Sequence, residues 1–335
     1  MPQYAVAHTI QAHAGAVHVA RYNRGGRYLL TGGGDQQVRL WNAHADAPPE
    51  LDAKGRSPCI QQYTGHSYEV LCLDVAPDNA RFASGGPDRA VLVWDVASGQ
   101  TLRRLNAHSG RTQDVRFIGA RDDGSVLLAG GSDTVLRAYD LRASGAWRPI
   151  FEAHEARDAI LAIAASTSCI HTASVDGVLR TYDIRKGQLR ADVIDQPISA
   201  ITPTRDGAAI LASTLDSTHR LLDLHDGTEL QRFRGHVQTS FRCHAALAAD
   251  EAQVLAGDED GRVLAWDVVS GHRSWGERPD YSGSVRHRRA PNASVAVLWT
   301  EANPDVASHG FVSASSCGTV HVWGATKGQG GGRGT

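Results

Sequence analysis

Short apolar runs, interleaved with polar residues and broken by Gly, Pro, Asp and Ser, recur along nearly the whole chain. The stretch Phe82-Ala-Ser-Gly-Gly-Pro-Asp-Arg-Ala-Val-Leu-Val-Trp-Asp95 shows the unit: an apolar run, a Gly-Pro-Asp turn and a second apolar run. Runs this short between turn formers predict β-strands joined by tight hairpins, because strand side chains alternate faces and Gly, Pro and Asp take up turn geometries readily. The unit ends on an aromatic-Asp pair, and that pair repeats. It stands as Trp41-Asn42, Trp94-Asp95, Tyr139-Asp140, Tyr182-Asp183, a degenerate Leu222-Asp223, Trp266-Asp267 and Trp323-Gly324, at separations of 53, 45, 43, 40, 44 and 57 residues. An Asp lies six residues before the anchor in six copies (Asp35, Asp88, Asp133, Asp176, Asp216 and Asp260), and Cys317 takes that place in the seventh. A His lies 28 to 31 residues before it in five copies: His13, His66, His108, His154 and His236.

A repeat of roughly 40 to 45 residues, with a Gly-His pair at Gly65-His66 and Gly235-His236 and an aromatic-Asp pair closing each copy, resembles the WD-repeat β-propellers. The predicted fold is all-β, a seven-bladed WD-repeat β-propeller over residues 1–325, with a flexible Gly-rich tail over 326–335. The spacing also predicts a buried hydrogen-bonded chain within a blade, because a polar group inside a core is tolerated only when it finds a partner. In blade one its members are His13, Thr31, Asp35 and Trp41; in blade two His66, Ser84, Asp88 and Trp94; in blade four His154, Thr172, Asp176 and Tyr182. Blade seven ends with its third strand at Trp323, and residues 4–10 read as the missing fourth. The N-terminal strand is therefore expected to pair there and close the ring, so that no sheet edge stays open and loss of the first ten residues weakens the whole fold.

Composition narrows the function. Lys and Arg number 34 against 36 Asp and Glu, a net charge of −2, which argues against coating nucleic acid by bulk charge. Gly at 35 and Met at 1 suit many hairpins and few helices. Cys59, Cys72, Cys169, Cys243 and Cys317 form no metal-type spacing and read as reduced thiols. His8, Gln11, His13 and His18 interrupt the first apolar runs, and no apolar run approaches membrane-spanning length, so neither a signal peptide nor a membrane partner is expected. No His-Glu-x-x-His, Gly-x-Ser-x-Gly or phosphate-loop motif is present, so neither an enzyme nor a cofactor is expected.

Four features bear on partners. Third residues after the His position, Glu69, Arg111 and Arg157, with Gln196 in the degenerate fifth copy, fall on the upper rim of the ring, where propellers hold peptides or domains; a merely solvated rim is the alternative. The polar insertion 274–290 carries Arg286, Arg288 and Arg289 beside Trp275 and Tyr281, a basic loop able to contact RNA or simply to be solvated. A second excursion covers 43–58. Tyr139-Asp-Leu-Arg142 and Tyr182-Asp-Ile-Arg185 resemble the motif by which some WD-repeat proteins dock on a cullin-4 ubiquitin-ligase adaptor, which makes a substrate receptor the alternative function.

Tyr63-Thr-Gly-His-Ser-Tyr-Glu-Val-Leu71, Val91-Leu-Val-Trp-Asp-Val-Ala-Ser-Gly-Gln100, Ser174-Val-Asp-Gly-Val-Leu-Arg-Thr-Tyr-Asp-Ile-Arg-Lys-Gly-Gln188 and Ser213-Thr-Leu-Asp-Ser-Thr-His-Arg-Leu-Leu-Asp223 are similar to the mitogen-activated protein kinase organizer family of WD-repeat scaffolds. The resemblance runs from about Gln11 to Gly271 and weakens across the insertion and blade seven. It implies a non-catalytic scaffold, monomeric within larger complexes. Its partners would be kinase-cascade components or spliceosomal proteins, in the cytoplasm and nucleus.

Overall fold

The strand-turn-strand units form seven four-stranded antiparallel sheets in the computed structural model, which describes residues 3–43, 59–106, 108–119, 123–143, 148–166, 168–281 and 295–326. Blade one runs Val17–Tyr22, Tyr28–Gly33, Gln37–Asn42 and Gln61–Thr64, and blades two to six repeat that consecutive order. Blade seven does not. Its order is the N-terminal strand Gln3–Gln11, then Thr319–Thr326, Phe311–Ser315 and Val297–Ala302. Gln3 stands opposite Thr326 and Gln11 opposite Thr319, with one register shift between Val6 and His8. The two ends of the chain are thereby sewn into one sheet and the ring has no seam.

That closing strand is anchored by packing as well as by its ladder. Tyr4 is 5% exposed, meets Phe311 and Trp275 edge to face at 5.0 and 5.5 Å, and donates its hydroxyl to Gln253 Oε1 of blade six at 2.8 Å. Ile10, at the other end of the strand, is buried beside Val320 and Val38. Apolar layers of this kind lie between neighbouring blades all around the ring, because each sheet buries both faces against its neighbours.

Buried carboxylates set the height of one blade against the next. On the inner strands, Glu301 accepts from Tyr22 N at 3.2 Å, Asp74 from Phe117 N at 2.8 Å and Asp114 from Ile163 N at 2.7 Å, each an N–H of the following blade. Arg21 and Arg116 stand between these acids, Arg21 at 3.0 Å from Glu301 and Arg116 at 3.3 Å from Asp74. Each of the three blade junctions thus sets a carboxylate against both a backbone N–H and a guanidinium.

Candidate interaction surface

The rim owes its rigidity to the turns that carry it. In blade one His13 Nδ1 meets Asp35 Oδ1 at 2.7 Å and Nε2 meets Thr31 Oγ1 at 2.8 Å, while Trp41 Nε1 donates to the same hydroxyl at 2.9 Å. Blade two repeats the chain through His66, Asp88, Ser84 and Trp94 at 2.7, 2.7 and 2.8 Å. Glycine makes room for it: a Cβ at Gly33 would lie 2.4 Å from Cγ of His13. Burial alone would raise the Asp88 carboxyl, but the His66 hydrogen bond and charge, together with the N–H groups of Ala90 and Ser67, hold the group below its ordinary range. In blade three His108 reaches Asp133 at 2.7 Å, yet Ala129 occupies the hydroxyl position and His108 Nε2 has no side-chain partner.

Blade four departs from the expectation. His154 lies outside any such chain, its side chain 64% exposed and 3.7 Å from Glu152. Asp176 is instead taken by Arg180, whose Nη1 and Nη2 donate at 3.1 and 2.7 Å, so both carboxylate oxygens are engaged. The Tyr182 hydroxyl projects beyond the place of an indole N–H and donates to Glu155 at 3.2 Å, turning Glu155 rather than His154 toward the blade. Thr172 is buried on the second strand without His154. Blade six also differs: Asp260 is an exposed partner of Arg262, Asp258 is the buried turn acid, and His236 stacks on His219 of blade five at 4.0 Å. The sequence held a signal for these pairs in an Arg four residues after the turn Asp. Asp35 and Arg39, Asp133 and Arg137, Asp176 and Arg180, and Asp216 and Arg220 all pair within 3.0 Å.

Glu69, Arg111, Arg157 and Gln196 lie at the upper rim, each just ahead of an inner strand. Arg111, Arg157 and Gln196 are exposed, whereas Glu69 is half-buried and 3.1 Å from His18 Nε2. Two aromatic side chains outside the repeat's periodic positions share this rim: Tyr68, 59% exposed, and Phe241, 48% exposed. Phe241 sits on a loop that replaces most of the inner strand of blade six, where only Ala245–Leu247 remains regular. Glu259 holds that loop by accepting from the N–H groups of Thr239, Ser240 and Phe241 at 2.6, 2.6 and 2.9 Å. Burial would raise the Glu259 carboxyl, but these donors hold it low. Arg242 then dives into the channel and donates to Ser199 O of blade five at 3.0 Å and Gln113 O of blade three at 2.7 Å. The rim therefore surrounds a mouth spanned by a half-buried arginine.

The lower end of the channel holds a cavity of about 320 Å³ lined by Arg21, Arg116, Glu301 and His244. On the same lower face Arg142 is 69% exposed and tied to Asp140 at 2.9 Å, and Arg185 follows the third strand of blade four with its N–H on Asp183. The insertion expected over 274–290 begins later than the pattern implied, because 274–277 belong to the outer strand of blade six. Trp275 packs against the core and buried Tyr281 donates to Gly261 O at 2.9 Å, so neither aromatic is free for stacking. Arg286, Arg288 and Arg289 lie outside the described residues, as do 44–58 and 327–335.

Comparison with known proteins agrees with this geometry. A family model described as WD domain, G-beta repeat, matches residues 5–42 and 57–95. Over 263 residues the chain is 37% identical to WD repeat domain-containing protein 83 of Homo sapiens, covering 78% of this chain and 79% of that protein. The Danio rerio protein of the same name is 38% identical over 263 residues with the same coverage. A WD repeat domain-containing protein 83 homolog of Dictyostelium discoideum is 25% identical over 340 residues, 93% of this chain and 95% of its own length.

Proposed function

From the premise that the chain belongs to the family of WD repeat domain-containing protein 83, we propose that it is a non-catalytic scaffold that holds partner proteins on its upper rim. The observation that carries this reading is a pair of solvent-facing aromatics, Tyr68 and Phe241, fixed on hydrogen-bonded turns amid Glu69, Arg111, Arg157 and Gln196. Aromatic side chains lose little conformational freedom on binding and bury much area, so a rigid rim that exposes two of them beside the exposed Arg111 and Arg157 suits protein recognition. The family resemblance points to kinase-cascade components and spliceosomal proteins as partners, in the cytoplasm and the nucleus, with one copy of the chain per assembly.

The test is affinity purification of the tagged protein from nuclear and cytoplasmic fractions, with and without RNase, beside a Tyr68→Ala/Phe241→Ala variant. Spliceosomal or kinase-cascade proteins that survive RNase and are lost in the variant support the reading. Partners retained in full by the variant would overturn the rim as the site. Recovery of cullin-4 adaptor alone, abolished by Arg142→Glu, would replace the reading with a ligase substrate receptor.

A further inference from the structure

The seven copies provide an internal standard for every position. One cross-strand pair, on the second and third strands, faces the next blade and is apolar in six copies: Leu30 with Leu40, Ala83 with Val93, Leu128 with Ala138, Leu211 with Leu221, Leu255 with Ala265 and Val312 with Val322. In blade four the same pair is His171 with Thr181. A polar pair costs inter-blade cohesion unless its groups are used.

His171 is 1% exposed, and its Nδ1 lies 3.0 Å from Thr181 Oγ1. That contact leaves Nε2 buried and without a hydrogen-bond partner, bordering a groove of about 660 Å³ between blades four and five on the lower face. The equivalent groove between blades one and two, about 550 Å³, is walled by Leu30, Leu40, Val75 and Val96. The polar cross-strand pair on the wall therefore distinguishes this groove from that one. Arg190 reaches from the outer strand of blade four to the carbonyls of Leu224 and His225, two residues that line the groove.

Each of the groove's own acids gives one oxygen, Oδ1, to a local turn. Asp206 accepts from Thr204 Oγ1 and Ala208 N at 2.6 and 2.9 Å, and Asp223 accepts from His225 N at 2.6 Å. In the tautomer in which the Thr181 hydroxyl donates to Nδ1, the ring proton sits on Nε2, and that N–H and the exposed Arg205 guanidinium are donors for a ligand. We propose that this groove is a second docking site, one that receives a carboxylate side chain of a partner polypeptide, with His171 Nε2–H and Arg205 as its donors. The class of occupant rests on the scaffold reading; the site rests on the groove. A carboxylate fits because hydrogen bonds to a charged acceptor are the ones strong enough to repay a polar pair inside a blade junction.

The experiment is NMR of the full chain labelled with ¹⁵N-histidine, titrated with N-acetyl-glutamate amide and, separately, N-acetyl-lysine amide. His171→Leu assigns the signal, and Thr181→Val is the second variant should the first not fold. The expected result is a saturable shift of the His171 Nε2 resonance with the glutamate probe alone, weakened roughly tenfold by Arg205→Ser, the loss of one charge-assisted hydrogen bond. No shift, or an equal shift with the lysine probe, would overturn the proposal. Tyr68→Ala/Phe241→Ala should leave the titration unchanged, so a failed rim and a failed groove give different results.

Discussion

Replacing Tyr4 by Ala tests whether the N-terminal strand holds the ring closed. Tyr4 packs on Phe311 and Trp275 and gives its hydroxyl to Gln253 in the neighbouring blade, so a single side chain ties the closing strand to two sheets. Truncating a buried aromatic to Ala costs about 3–5 kcal/mol. The abandoned Gln253 oxygen adds about 1–3 kcal/mol, only part of which is additional because the site can relax. A total of about 4–6 kcal/mol is expected. At roughly 2 °C per kcal/mol for a large domain, Tm should fall by about 8–12 °C in a thermal melt followed by circular dichroism. Tyr4→Phe keeps the ring contacts and loses only the hydroxyl, so its Tm should drop by roughly 2–6 °C. The exposed neighbour Gln3, changed to Ala, should stay within about 0.5 kcal/mol of the parent. A Tyr4→Ala protein melting within about 2 °C of the parent would refute the closure argument.

Three further outcomes follow from the site geometry. His66→Ala, which strips Ser84 and Asp88 of their shared partner, should lower urea-unfolding stability by about 2–4 kcal/mol, whereas His154→Ala should change it by no more than about 0.5 kcal/mol. Equal effects would contradict the assignment of His154 outside the network. Ala129→Ser offers His108 Nε2 the hydroxyl that blades one and two possess and should add about 0.5–1.5 kcal/mol, checked by the same unfolding curve. Burial, helped by the Arg21 charge, lowers His244 to about 3, far below the ordinary 6.5. The unfolded chain therefore takes up a proton below about pH 6.5 while the native one does not, and stability is lost as pH falls from 7 toward 3. His244→Phe keeps the stack on Trp299 and removes that linkage, so it should gain on the parent by up to about 2 kcal/mol between pH 7 and 5. A gap constant with pH would refute the buried neutral state.

The blades and the closing strand were legible because they depend on spacing, which the anchors at Trp41, Trp94, Tyr139, Tyr182, Leu222, Trp266 and Trp323 preserve even where the aromatic is lost. The hydrogen-bonded chains were legible in blades one and two, where Trp, hydroxyl, Asp and His are all present. In blade four the His has the usual spacing, 22 residues before Asp176, but competition decides its place. In blades one and three Arg39 and Arg137 pair with one carboxylate oxygen and leave the other to the His, whereas Arg180 takes both oxygens of Asp176 and the Tyr182 hydroxyl goes to Glu155. Phe241 and Arg242 carried no periodic signal, because their loop abandons the strand and is built by three N–H groups converging on Glu259. His171 was legible only in comparison with its six counterparts once the sheet register had aligned them.

The central claim is that partner proteins sit on the upper rim. Photo-crosslinking in cells tests it most directly, with benzoylphenylalanine placed at Tyr68, at Phe241 and, as a lower-face control, at Val269, which is 86% exposed in blade six. The account predicts discrete RNase-resistant protein adducts from positions 68 and 241 and none from 269. Adducts from 269 with none from the rim would contradict it.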